Sequence, residues 1–138
     1  MHFKREGKII VARLFKGEEF MESVLSFCKN ESIFSGKISA IGAVHKAVLG
    51  FFDAEKREYI HFECAGEVVS CMGNIATRKD TGDVMIHAHA VIADRQGTCM
   101  GGHVVRAEPS VTLEVIIEEG PLVHRSLESE TGLYLLDL

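Results

Sequence analysis

Histidine stands out in this chain for its spacing rather than its number. There are seven in 138 residues, and His87, His89 and His103 lie close together. His87-Ala88-His89 falls in an apolar run, Val84 to Ile92, that reads as a β-strand. Side chains alternate along a strand, so these two share a face with Cα atoms about 6.6 Å apart. A second run, Thr98 to Val105, follows across Asp94-Arg95-Gln96-Gly97. With Gly97 in the left-handed position of a three-residue hairpin loop, Asp94 lies opposite Thr98 and His89 opposite His103. Facing residues have Cβ atoms roughly 4.5–5.5 Å apart, so three imidazoles would converge. A four-residue loop would instead turn His103 to the other face. Gly101-Gly102 removes side-chain bulk just before His103 and allows a bulge or close approach.

Three neutral imidazoles with a fourth position open are the donor set of a catalytic Zn²⁺ site rather than a closed structural one. Imidazole also suits other late first-row ions. A His-x-His pair in a strand recurs without any metal, and it is the third histidine at the hairpin register that favours a site. Cys99 lies about 13 Å along the strand from His103, too far to be a fourth ligand. His2, His45, His61 and His124 lack partner spacing and read as surface or core residues. Glu114, inside Thr112-Leu113-Glu114-Val115-Ile116-Ile117, is the other unusual residue. It either faces solvent or a subunit neighbour, or it reaches the cluster to bind metal or act as a general base. Arg106 and Glu108 beside the hairpin read as surface charges.

The hairpin needs a scaffold, and the rest of the chain reads as one. Lys8 to Phe15 is apolar on both faces and fits a central strand. Gly17 ends it, and Glu18-Glu19 opens a helix with its apolar stripe on Phe20, Met21, Val24, Leu25, Phe27 and Cys28, ending near Asn30. Lys37 to Phe52 reads as two strands, broken or bulged between Gly42 and His45. Tyr59 to Cys64, Val68 to Thr77 and Val111 to Ile117 are further strands, and the apolar tail from Thr131 to Leu136 is expected to dock on the core. One helix and seven or eight closely linked strands predict a single α+β domain over residues 1–138, mainly antiparallel.

Composition limits the function classes. The net charge is −5 with histidine neutral, and no run of Lys and Arg reaches three. The basic stripe of a phosphate-binding surface is missing from the sequence, so nucleic acid is not the expected partner. The apolar runs are too short for a membrane span. The charged start, Met1-His2-Phe3-Lys4-Arg5-Glu6, is unlike a signal peptide and predicts a cytoplasmic protein. Cys28, Cys64, Cys71 and Cys99 show no Cys-x-x-Cys spacing, and in that compartment they read as buried structural thiols.

Several segments, in order, carry a resemblance. They are Arg13-Leu14 with Gly17-Glu18-Glu19, Ile38 to Ala43, Leu49 to Asp53, Glu67 to Ile75, His87-Ala88-His89, Ala93-Asp94-Arg95, Gly97, Gly101-Gly102-His103 and Thr112 to Val115. Together, from about Lys8 to Leu136, the chain resembles the plant and prokaryote conserved domain, the PPC domain, in its stand-alone prokaryotic form. The resemblance implies a strongly twisted, mainly antiparallel sheet with one packed helix, and a homotrimer. It implies a fold similar to acetolactate decarboxylase and to a zinc-dependent ester hydrolase, whose metals are held by histidines. Stand-alone members keep histidines at positions matching His87, His89 and His103, which implies a bound metal. Plant relatives join the domain to AT-hook segments and bind DNA, and prokaryotic members are called DNA-binding by analogy. This chain departs from them in having no Arg-Gly-Arg-Pro hook and an acidic balance. Three readings stay open: a metal-binding oligomer acting on a small carbonyl or ester ligand, a DNA-binding or transcription-associated module, and an assembly module with a structural metal.

Overall fold

The computed structural model describes residues 1–138. Its elements are β1 (His2–Glu6), β2 (Ile9–Phe15), α1 (Phe20–Asn30), β3 (Gly36–Asp53), β4 (Glu58–Arg78), β5 (Val84–Ala93), β6 (Cys99–Glu119), β7 (His124–Leu127) and β8 (Tyr134–Asp137). The fold is α+β, mostly antiparallel sheet with one helix, as the sequence predicts. The exception is β7, which pairs parallel to the end of β4 through Thr77 with His124 and Arg78 with Arg125.

Three strands are far longer than the sequence implies. The two strands expected within Lys37–Phe52 are one continuous β3, Tyr59–Cys64 and Val68–Thr77 are one continuous β4, and the two runs after Gly97 are one continuous β6. The physical reason is partner exchange. Register shifts in β3 fall between Ala40 and Gly42 and between Val44 and Ala47, and β6 shifts its pairing along the same stretch. Such irregularities bend a strand without ending it. Through these bends β3 pairs with both β4 and β6, and β5 pairs with both β4 and β6. The four strands therefore close on one another around an apolar interior that includes Ile38, Leu49, Ala88, Val104 and Leu113.

Helix α1 covers this interior with Phe20, Val24, Phe27 and Cys28, packing against β5 and β6. Its N-cap is Glu19, whose Oε2 accepts from the Glu22 amide at 2.7 Å while Oε1 accepts from the Ala107 amide at 2.8 Å. One carboxylate thus satisfies an orphan helix donor and ties the helix to β6. Of the four cysteines, all reduced, Cys28 and Cys71 are buried, and burial pushes their thiols up to about 12 and about 11. Cys64 is half-buried and Cys99 exposed, so the reading of all four as buried is corrected for these two. No helix is long and apolar enough to cross a membrane.

Candidate metal centre

The β5–β6 turn decides the site. Asp94 and Thr98 pair through a 2.9 Å bond from the Asp94 amide to the Thr98 carbonyl, and Gly97 stands at φ +80°. The Asp94 side chain accepts from the amides of Gln96 and Thr98 at 2.8 and 2.9 Å, which closes the loop from inside. A side chain at Gly97 would meet open space, so the requirement for glycine is the backbone angle alone. From this turn the ladder runs Ala93 to Cys99, Val91 to Gly101 and His89 to His103.

The three imidazoles therefore meet on the face of β5 and β6 opposite the buried Ala88 and Val104. Ring centroids lie 4.9 Å apart for His87 and His89, 5.2 Å for His87 and His103, and 5.6 Å for His89 and His103. One nitrogen from each ring falls within 4.8 Å of the others. His87 and His103 are half-buried and His89 is exposed, so the cluster is open on one side. His87 Nε2 and His89 Nε2 are 3.1 Å apart. Two ligands at a Zn–N distance of about 2.0–2.1 Å in a tetrahedron stand roughly 3.3 Å apart, so this pair fits a shared ion as well as a shared proton.

Two further observations bear on whether a metal fits. His103 Nδ1 is buried without a hydrogen-bond partner, which costs free energy unless something fills its lone pair or takes its proton. Burial, joined by the Arg125 cation and the other two rings, holds His87 down at about 4. Burial likewise lowers His103, with His89 and His61 adding to it. Both rings are consequently neutral near pH 7, the form in which imidazole binds a metal. The donor set fits a divalent ion of the zinc type.

Neighbours that the sequence does not reveal complete the surroundings. Tyr59 lies 5.1 Å from His103 between ring centroids and stacks on His61 at 6.1 Å. Phe52 adds a third ring at 5.2 Å from Tyr59. Gly50, opposite His103, leaves the room they need: a Cβ there would meet Tyr59 Cδ1 at 2.9 Å and His61 Cδ2 at 3.3 Å. His61, expected at the surface or in the core, is exposed and stacks into an aromatic wall beside the cluster. Behind His87, Arg125 points Nη2 at His87 Nδ1 across 3.4 Å and at Asn74 Oδ1 at 2.7 Å. Its sequence signal is faint, a lone arginine in a short hydroxyl and apolar stretch.

Glu114 is not at the cluster. It pairs with Arg13 of β2 and Ile41 of β3 and lines an open surface hollow with Met1, His2, Phe3 and Lys4. It is not among the groups whose ligand atoms converge with those of His103. Within one chain its candidacy as metal ligand or general base is corrected. Cys99 is four residues from His103 on the same strand and takes no part. His45 bonds Pro109 O at 3.1 Å and approaches Glu108 at 3.4 Å, while His2 packs on Phe15.

Comparison with known proteins agrees with this architecture. The family model of the Plants and Prokaryotes Conserved (PCC) domain matches residues 1–121. A metal-containing protein from Archaeoglobus fulgidus is 31% identical, with a TM-score of 0.85 over 100% of this chain and 99% of its own. A proposed DNA-binding protein from Bacteroides thetaiotaomicron superimposes with a TM-score of 0.93 at 24% identity, covering 99% of this chain and 96% of its own. Acetolactate decarboxylase from Bacillus subtilis shares the fold at 12% identity, with a TM-score of 0.57 over 93% of this chain and 59% of its own. No curated protein matches the sequence.

Proposed function

The chain belongs to the Plants and Prokaryotes Conserved domain family, and from that premise we propose that it is a metal-binding, homotrimeric cytoplasmic domain whose three imidazoles hold one divalent ion, Zn²⁺ by preference. The observation that carries the reading is the convergence of His87, His89 and His103, each offering a nitrogen within 4.8 Å of the others. A relative 31% identical over the full chain is named as metal-containing, which supports it. When bound, such an ion supplies Lewis acidity and an open position for water or a small carbonyl or ester group. The chain's own contribution is to hold His87 and His103 neutral by burial and to wall one side with Tyr59 and His61. The test is elemental analysis of untagged protein purified without added metal. One equivalent of zinc per chain is expected, and metal-free protein that also fails to take up added zinc overturns the reading.

The second reading, a DNA-binding module, draws on the name of the Bacteroides structure. A net charge of −5 and the lack of a basic run stand against it, because phosphate contacts supply most non-specific affinity.

A further inference from the structure

Arg125 is the one charged side chain in the buried set, 5% exposed. It sits on β7, outside the 1–121 segment that matches the family domain. Its guanidinium is held at both ends: Nη1 donates to Tyr134 O at 2.7 Å and Nη2 to Asn74 Oδ1 at 2.7 Å. The same Nη2 faces His87 Nδ1 at 3.4 Å.

A guanidinium has five N–H donors and no acceptor. For that contact to be a hydrogen bond, His87 Nδ1 must present a lone pair, which puts the proton of the neutral ring on Nε2. That proton points at His89 Nε2, 3.1 Å away. Two lone pairs would repel at this distance, and one N–H donating to one lone pair suits it. The usual partner of a metal-bound histidine has the opposite polarity. A carboxylate, carbonyl or water accepts the proton of the far nitrogen and leaves the metal-facing lone pair free.

Building on the metal-centre reading above, we propose that Arg125 is a positioning residue that fixes His87 in the tautomer whose metal-facing Nε2 is protonated, so that the β7–β8 hairpin restrains metal capture. The ring can offer Nε2 only when Nη2 withdraws and Nδ1 takes the proton. Because Tyr134 O anchors the other end of the guanidinium, a shift of β8 against β7 moves that contact directly.

The test uses the metal-free full chain at neutral pH. Nitrogen-15 spectra of the imidazoles should show His87 with a protonated Nε2 and a lone pair on Nδ1. Arg125→Met should populate both tautomers and bind Zn²⁺ about tenfold or more tighter in competition with a chromophoric chelator, opposite to the usual loss on removing a supporting contact. Arg125→Lys, which keeps a cationic donor, should restore the wild-type tautomer and the weaker affinity. A merely structural role predicts weaker binding in both variants. Should Arg125→Met fail to fold, Asn74→Leu loosens Nη2 without removing the cation and should move affinity the same way. A wild-type His87 protonated on Nδ1 overturns the inference, as does a folded Arg125→Met protein that binds zinc no tighter than wild type. If the tautomer is as expected but neither wild type nor variant takes up zinc, it is the metal-centre reading that fails, and the restraint on capture falls with it.

Discussion

His89 is the imidazole most separable from the fold, because it is exposed while His87 and His103 are half-buried. Replacing it with Ala should abolish stoichiometric metal uptake and leave folding stability within about 0.5 kcal/mol, as for other surface changes. Elemental analysis and a urea melt of the same sample check both halves, and one tightly held metal per chain in His89→Ala would rule out the site. The two half-buried rings carry a separate expectation for pH. In the folded metal-free protein His87 is held near 4, against 6.5 for the free side chain, and His103 is lowered in the same direction. A depressed folded value means that the unfolded chain binds more protons in between. Stability is therefore fully present above about 6.5 and declines as pH falls from there through about 4. Urea midpoints across that window should drop in the wild type and drop less in His87→Gln. Equal slopes in the two proteins would place the pH dependence elsewhere.

At the scale of elements, the β5–β6 hairpin was legible and the strand ends were not. Gly97 and the alternation of His87 and His89 determine a register in a few covalently adjacent residues, and the ladder from Asp94 to His103 follows that local logic. The long strands β4 and β6 read as pairs of short ones because their partner exchange depends on pairing with β3 and β5, distant in sequence. Arg125, Tyr59 and His61 reach the site through β7 and the β3–β4 hairpin, and no periodicity links them to His87 or His103. Glu114 was misleading for the reverse reason. Its place inside an apolar strand marks an unusual environment without saying which one. Glycine at position 73 shows how closely β4 must approach β5 for the histidines to align. Gly73 pairs with Ala88, between His87 and His89, and a Cβ there would lie 2.2 Å from His87 O and 2.7 Å from Ala88 Cα. These are backbone atoms that cannot swing aside. Gly73→Ala should cost about 1–3 kcal/mol and weaken metal binding together. At Gly120 a Cβ would meet only Gly36 Cα at 3.6 Å, so Gly120→Ala should change neither. A Gly73→Ala protein as stable as wild type would show that β5 can move away without loss.

The whole molecule leaves a group of large apolar side chains in water. Ile9, Val11, Ile41, Val111 and Ile116 are all exposed, at 48% to 73%. Pairing places them together: Val11 is opposite Ile116, Ile9 opposite Glu118, and Ile41 opposite Glu114, with Arg13 on the far side of Glu114. The outer face of β2, β6 and β3 thus groups these apolar side chains, with Arg13 opposite Glu114 and Lys37 opposite Glu118 among them. A contiguous patch of this kind usually marks an interaction surface, and a partner covering it would place Glu114 at a subunit boundary. The same face argues against duplex DNA as the occupant, since a phosphate backbone needs cations rather than isoleucine and valine. A fluorescence titration with duplex DNA at physiological salt should show no sub-micromolar binding, and tight binding with a steep salt dependence would reverse this view of the surface. Copies of the chain are the occupants that the apolar chemistry suits, three of them on the family resemblance. Sedimentation equilibrium at micromolar concentration should then give three times the 15.2 kDa of one chain. Ile116→Lys puts a charge at the centre of the patch and no atom near the imidazoles. It should lower the mass toward the single chain while the His87, His89 and His103 cluster stays intact within each copy. A wild-type species of 15.2 kDa would overturn the trimer. An Ile116→Lys protein that still sediments as three chains would show that another face holds them together.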